Sequence, residues 1–525
     1  MPPPFALNRI VRSPAAARAL LAAASGALLA LAAPPFDLIP ALWLGMAACE
    51  WLLSADPEWP AFAPPARLAL TGARRGLAFG IGANLVALRF IPSVIARFTP
   101  LPWVAGLVAL LLLAAFEATR WMVAAVACET LARARVPRPA AFAAGVYAGT
   151  FVPTMLPWTP AGGASPWPAV VQLADVVGER GVTALMALVA ALAAAGARAA
   201  LRRESRGRGL SIAGAAAALL VAQIAFGAAR IRAVDAARTP VHARVALLQP
   251  AVDASTRWED DRAPALLREL ASLTERAAAR GSDLVVWPEA AYPYRLPHGV
   301  RRASVAPREI VPPTVRVPVL AGLVLESPDG PAYNSALLAY PGGALSESYD
   351  KRHLLWFGET VPLADRLPWL RRVFARGLGL APGVTPRLLV AGTIRAAVLI
   401  CYEDTLPQAG REVAELAPNL LVNITNDAWF AGSPESELHL RLAAMRAVET
   451  RRDLVRAVNR GPTSWIDAAG RVRARGPADF AGVTVAEPAL TDAPPTFYAR
   501  FGDAPWALAL LVVANAAVWR RRRAP

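Results

Sequence analysis

Apolar and polar positions along this chain fall into two regimes that meet near residue 235. Ahead of that point run seven apolar stretches, near 15–33, 38–55, 73–95, 103–129, 139–157, 181–199 and 210–229, and an eighth follows near 504–519. Each is long enough, or nearly so, for a helix to cross the hydrocarbon core of a bilayer. The first has the outline of a signal peptide, but its Ala-Pro-Pro exit lacks a clear cleavage pattern and further spans follow, so it reads as a retained helix. From Arg244 onward the apolar runs shorten. Residues 245–249, 284–287, 319–325, 395–400 and 420–424 read as strands, and 334–349 as a hairpin turned at Pro341-Gly342-Gly343. Residues 263–280 and 438–448 carry helical periodicity. Strands alternating with helices predict an α/β domain behind a multi-span helical one.

Composition agrees with this division. A chain of 525 residues that is 55% hydrophobic, with a mean hydropathy of +0.38, is too apolar to be wholly soluble. The formal net charge of +16 points to nucleic acid only if it clusters on a folded face. It does not: residues 240–500 are roughly balanced, and the surplus arginines sit in short groups between apolar runs. Arg9, Arg12 and Arg18 precede the first stretch; Arg67, Arg74 and Arg75 follow the second; Arg133, Arg135 and Arg138 follow the fourth. Arg198, Arg202, Arg203, Arg206 and Arg208 follow the sixth, and Arg520 to Arg523 end the chain.

Arginine in every second loop is the positive-inside pattern, which predicts cytoplasmic termini and an outward-facing α/β domain, periplasmic in a diderm bacterium. The expected plan is a transmembrane domain of about seven helices over 1–235, an extracytoplasmic domain over 240–495, and a last helix with an arginine tail over 503–525. Outward loops at 34–37, 90–103 and 153–167 are rich in Pro and Trp, as headgroup anchors or as the walls of a lipid entry. Glu50, Glu117 and Glu129 fall in or beside apolar runs, where snorkelling at helix ends or hydrogen bonding within the bundle explains them.

Candidate chemistry is confined to three strand ends. Residues 396–400 run into Cys401-Tyr402-Glu403-Asp404, residues 284–287 into Pro288-Glu289, and the hairpin into Asp350-Lys351-Arg352. Catalytic groups gather at strand ends in α/β proteins. Cys49 and Cys128 lie inside apolar helical runs and read as small buried hydrophobes, leaving Cys401 for chemistry. Lys351 is the only lysine in a chain whose other Lys+Arg positions are all arginine. A compact ammonium with a tunable pKa does what a planar guanidinium cannot. Three cysteines and four histidines offer no metal-ligand spacing, and no cofactor is implied.

Glu289, Lys351 and Cys401, in that order, resemble the catalytic triad of the nitrilase superfamily. The flanking text, Trp287-Pro288-Glu289, Tyr349-Asp350-Lys351-Arg352-His353-Leu354, Phe357-Gly358-Glu359, Cys401-Tyr402-Glu403 and Thr425-Asn426-Asp427-Ala428-Trp429-Phe430, resembles its membrane-bound branch, the apolipoprotein N-acyltransferases. The resemblance implies an α-β-β-α sandwich and transfer of the sn-1 acyl chain of a phospholipid, by way of a thioester on Cys401, to the N-terminal amine of a diacylglyceryl-cysteine lipoprotein. It makes Glu289 the general base and Lys351 the oxyanion donor.

The same resemblance implies supporting roles for Glu359, Tyr402, Glu403, Trp258 and Asn334. A surface charge for Glu359, a core aromatic for Trp258 and a capped turn for Asn334 are the plain alternatives. Leu355-Trp356, Thr360 and Glu437-Leu438-His439-Leu440 depart from the family's usual text around the pocket. The expected assembly is a monomer in the inner membrane, with a phospholipid donor, a lipoprotein acceptor and no nucleic acid. The rival readings are a tethered nitrilase-type amidase with water as acceptor and a non-catalytic lipid-binding membrane protein.

Overall fold

The computed structural model describes residues 14–54, 65–201, 205–238, 241–253, 260–303, 307–328, 330–364, 366–373 and 379–523. It divides into two units, one comprising 1–95, 102–228 and 503–525 and the other 96–101 and 229–502. The first is helical. It contains α1 (Pro14–Ala30), α2 (Ala41–Ser54), α3 (Pro65–Ala87) running into α4 (Ile91–Phe98, whose last three residues belong to the second unit), α5 (Trp103–Glu117), α6 (Thr119–Arg133), α7 (Arg138–Gly149), α8 (Ala174–Leu201), most of α9 (Arg206–Ala236), and the C-terminal helix Ala504–Arg523.

Among the described residues three helices are long and apolar enough to cross a membrane: Trp103–Arg133, which joins α5 and α6, then α8 and α9. The α3–α4 pair, bent by 59°, is a fourth if it forms one span. Ala15–Ala30, Ala41–Ser54 and Ala504–Ala516 are apolar but shorter.

The stretch expected to span over 139–157 is helical only through α7. Beyond it Pro153, Pro157, Pro160, Pro166 and Pro168 remove backbone donors and interrupt the helix, leaving two one-turn helices, Pro160–Gly163 and Pro168–Val171. Side chains satisfy much of the exposed backbone. Met155 N and Leu156 N donate to Glu117 Oε1 at 2.6 and 2.9 Å, Gly162 N to Thr159 Oγ1 at 3.0 Å, and Gln223 Nε2 to Val170 O at 2.7 Å. Bundle hydrogen bonds, not snorkelling, therefore account for the acidic residues. Glu50 is fully buried and held bidentately by Arg198 at 2.6 and 2.9 Å, and Glu129 accepts from Arg138 at 2.6 Å.

The second unit is a four-layer sandwich. One sheet runs β13 (Gly482–Ala486), β1 (Val245–Gln249), β2 (Leu284–Val286), β4 (Val319–Glu326), β5 (Ala332–Ala339), β6 (Tyr349–Asp350), with β3 (Leu296–Pro297) beside β4. The other runs β12 (Val472–Arg475), β11 (Ser464–Ile466), β10 (Leu454–Val458), β9 (Leu420–Thr425), β8 (Ile394–Ile400), β7 (Leu388–Ala391). The middle strands are parallel and the edges antiparallel.

Alternation assigns every side chain to a layer. Val245, Leu247, Leu284 and Val286 meet Ala396, Val398, Ile400, Val422 and Ile424 between the sheets. Ala246, Leu248, Val285 and Trp287 face outward onto Leu266, Leu270 and Leu273 of α10 (Ala263–Ala278). Ala397, Leu399 and Leu421 face α11 (Pro407–Ala414) and α12 (Glu435–Thr450). Burial on both faces explains why these strands read as unbroken apolar runs.

Two glycines permit close backbone approach to the segments that follow β2 and end β6. A Cβ on Gly322 of β4 would lie 2.3 Å from Pro288 O and 2.9 Å from Glu289 Cα, and one on Gly383 would lie 2.2 Å from Asp350 O. Gly322→Ala must push the 288–290 backbone outward, so it should destabilise the protein by about 1–3 kcal/mol, the range for overpacking. Thermal unfolding of the purified chain checks this, with an unchanged midpoint as the contrary result.

Candidate active site

Strand β8 ends at Ile400, and the next residue turns sharply: Cys401 has φ 53°, in the left-handed region that a non-glycine residue occupies only at a cost. The surroundings hold it there. Asn423 Nδ2, on neighbouring β9, donates to Cys401 O at 3.0 Å and Leu399 O at 3.1 Å, and the short helical turn Cys401–Thr405 follows at once. Cys401 as a whole residue is half-buried.

Lys351 follows β6, its N–H donating to Asn334 O on β5 at 2.8 Å. Its side chain is 1% exposed. Nζ lies 2.7 Å from Glu359 Oε2 and 3.4 Å from Glu289 Oε1. Asn334 Nδ2 spends its two hydrogens on the same acids, donating to Glu289 Oε1 at 2.7 Å and Glu359 Oε1 at 2.9 Å. Leu355 N completes Glu359 at 3.0 Å. Asn334 is therefore no turn cap, and Glu359 no free surface charge. Among the described residues, both hydrogen-bonding partners of Glu289, Asn334 Nδ2 and Lys351 Nζ, engage Oε1.

Electrostatics connect the three strand ends. Burial alone would lower the Lys351 pKa, but Glu359 and then Glu289 outweigh it and hold the ammonium well above the ordinary lysine value. Burial and then Glu289 push the Cys401 thiol well above its ordinary value, while Lys351 pulls it down. Burial and the nearby acids thus favour the neutral thiol, and the Lys351 ammonium opposes them.

Glu403 joins two of the strand ends directly. It is fully buried and accepts four hydrogen bonds: Arg352 N at 2.8 Å and His353 N at 3.0 Å on Oε1, Tyr349 OH at 2.9 Å and Ile400 N at 2.8 Å on Oε2. Burial raises its pKa, opposed by those N–H donors. One carboxylate thus fixes the spacing between the lysine-bearing and cysteine-bearing segments. Tyr402 is half-buried beside it, its carbonyl accepting from Thr405 Oγ1 at 2.7 Å. Trp258 lies outside the described residues.

Sequence reasoning passed over a second buried cluster behind the nucleophile. His439 on α12 contacts Asp404 Oδ1 through Nε2 at 2.8 Å and Asp427 Oδ1 through Nδ1 at 3.1 Å, and Arg456 Nε meets Asp404 Oδ2 at 3.0 Å. Asp427 stands within the Thr425–Phe430 motif and Asp404 directly follows Cys401-Tyr402-Glu403, which was the available signal. Among the described residues Asp427, Glu435 and His439 are close enough together to share a metal ion. The chemistry disfavours one, because both His439 ring nitrogens face carboxylates and a buried guanidinium occupies the same cluster.

Glu403→Gln replaces one acceptor oxygen with an NH2 group, so either the 352–353 or the 349–400 pair of donors loses its partner. That should cost about 1–3 kcal/mol in stability for each buried donor left unsatisfied. It should also slow any Cys401 acylation more than it weakens substrate binding; single-turnover acylation kinetics check this.

Residues 244–495 match the carbon-nitrogen hydrolase family and residues 25–192 the apolipoprotein N-acyltransferase N-terminal domain. An apolipoprotein N-acyltransferase of Geobacter metallireducens is 30% identical over 519 residues, covering 95% of this chain and 94% of the relative. Those of Brucella melitensis and Bradyrhizobium diazoefficiens are each 32% identical, covering 89% and 96% of this chain and 88% and 95% of their own. Among solved structures, a mutant of an amidase from Nesterenkonia sp. AN1 is 18% identical over 51% of this chain and 99% of its own, with a TM-score of 0.36. Identity sustained from end to end, through the helical unit as well as the nitrilase-like sandwich, makes this chain a member of the apolipoprotein N-acyltransferase family.

Proposed function

We propose that this protein is a membrane acyltransferase that completes lipoprotein maturation by moving the sn-1 acyl chain of a phospholipid to the N-terminal amine of diacylglyceryl-cysteine, with Glu289, Lys351 and Cys401 as its catalytic residues. Its relatives' shared name supports the overall reaction. The observation that carries the assignment of residues is the Lys351 ammonium buried between Glu289 and Glu359 and interacting with the Cys401 thiol.

In the first half-reaction Glu289 takes the thiol proton as Sγ bonds to the ester carbonyl carbon. The oxyanion that forms accepts a hydrogen bond from Lys351, a contribution of about 3–4 kcal/mol at sites of this kind. The C–O bond then breaks, Glu289 returns the proton to the departing glycerol oxygen, and lysophospholipid leaves an acyl thioester. In the second, the lipoprotein amine attacks the thioester carbonyl while Glu289 takes a proton from nitrogen. Collapse forms the amide, and the proton goes back to sulfur. Splitting a hard transfer in this way predicts ping-pong kinetics.

The arginine pattern supports a reading in which the reaction takes place on the periplasmic side of the inner membrane. It also supports cytoplasmic termini and about eight spans; domain limits of 1–235, 240–495 and 503–525 and a monomeric protein complete the proposal.

Cys401→Ala should accumulate diacylated lipoprotein in cells; full N-acylation by that variant refutes the mechanism. With purified protein and phospholipid, intact mass should show an acyl adduct on Cys401, and the product should be N-acyl lipoprotein and not free fatty acid, the mark of a tethered hydrolase. Lys351→Arg should lower kcat by about 10²–10³-fold, since a guanidinium cannot take the ammonium's place between the two carboxylates.

A further inference from the structure

The charge cluster behind Cys401 takes no part in the steps above, yet it touches both turns that border the thiol. Asp404 belongs to the turn that begins with Cys401 itself. Asp427 opens the Asp427–Phe430 turn after β9, where Trp429 packs against Phe98 with ring centroids 4.6 Å apart. His439, 4% exposed, reaches both acids from α12.

We propose that His439 is a positioning residue for the nucleophile: as an imidazolium bound to Asp404 and Asp427, it locks the Cys401–Thr405 turn to the Asp427–Phe430 turn and cancels the carboxylate charge that the thiol would otherwise face.

Two contacts of hydrogen-bonding length to two ionised carboxylates require two N–H donors, and a neutral imidazole has one. Burial lowers the His439 pKa, but Asp404 and Asp427 outweigh it and push it up to about 10. Among the described residues, the charged or titratable groups that act on the ring are Asp404 from the nucleophile turn, Asp427 from the turn after β9, Glu435 from its own helix and Arg456 from β10. Burial and then Asp427 push Glu435 up to about 8, so at neutral pH it is mostly uncharged. His439 and Arg456 then balance Asp404 and Asp427.

Removing the imidazolium leaves one negative charge in excess. Asp427 is where it would act, for its Oδ2 is buried with no hydrogen-bond partner, and its charge already opposes ionisation of Cys401.

The test uses the full-length protein in detergent and follows iodoacetamide labelling of the Cys401 peptide against pH, together with the rate of acyl-thioester formation. It rests on Cys401 being the nucleophile. Labelling needs no turnover, so the midpoint stays readable even if Cys401→Ala proves active and that reading fails. His439→Gln should raise the labelling midpoint by about one pH unit and slow thioester formation about tenfold, with donor KM unchanged. The double variant His439→Gln/Asp427→Asn, which deletes the uncompensated carboxylate, should bring the midpoint back towards that of the native chain.

A folded His439→Gln protein with an unaltered midpoint overturns the proposal, as does a double variant whose midpoint stays raised. If His439→Gln does not fold, Asp427→Asn alone decides. A lowered midpoint supports the electrostatic role, and an unaltered one overturns it.

Discussion

Desolvating the Lys351 ammonium is tolerated only because two carboxylates close around it, and that requirement organises the centre of the sandwich. Breaking a buried ion pair by removing one member costs about 3–5 kcal/mol, because the other is left charged and dry. Glu289 after β2, Asn334 in β5 and Glu359 in the 355–360 turn are therefore bound to one another through a single nitrogen and a single amide. Gly322 and Gly383 lack the side chains that would hold those backbones apart. The arrangement is set by these internal contacts, which is what the proposed oxyanion role requires.

The second sheet brings the sulfur to this point by different means. Asn423 holds the carbonyl of a residue in a strained conformation, and Glu403 ties the cysteine turn to the lysine segment through four donors. Neither contact touches the atoms proposed to react. Together they convert a strand end, which is cheap to vary in sequence, into a fixed distance.

Much of this was legible in the chain. Residues 245–249 and 420–424 were readable because both faces of the strand are buried, and α10 because its leucines recur at helical spacing. Strands β7 and β10 to β13 were not. β10 carries Arg456 at its centre, a polar signal that makes sense only once Asp404 is beside it, and β12 alternates arginine on an exposed edge. The ends bearing Glu289, Lys351 and Cys401 could be read because each closes an apolar run. The meeting of Asp404, Asp427 and His439 could not, since it depends on how α12 docks and leaves no local period. The stretch at 139–157 looked like a span because hydropathy averages over prolines that the backbone cannot ignore.

That proline-broken stretch has a consequence for how the protein is built. Its amides find acceptors on Glu117, at the end of α5, and Thr183, within α8, while Gln223 of α9 caps one of its carbonyls. A buried amide or carbonyl without a partner is costly, so the segment depends on those side chains for its hydrogen bonds. α8 and α9 are synthesised after it. The segment therefore reaches its final hydrogen bonding only once helices that follow it in the sequence are in place.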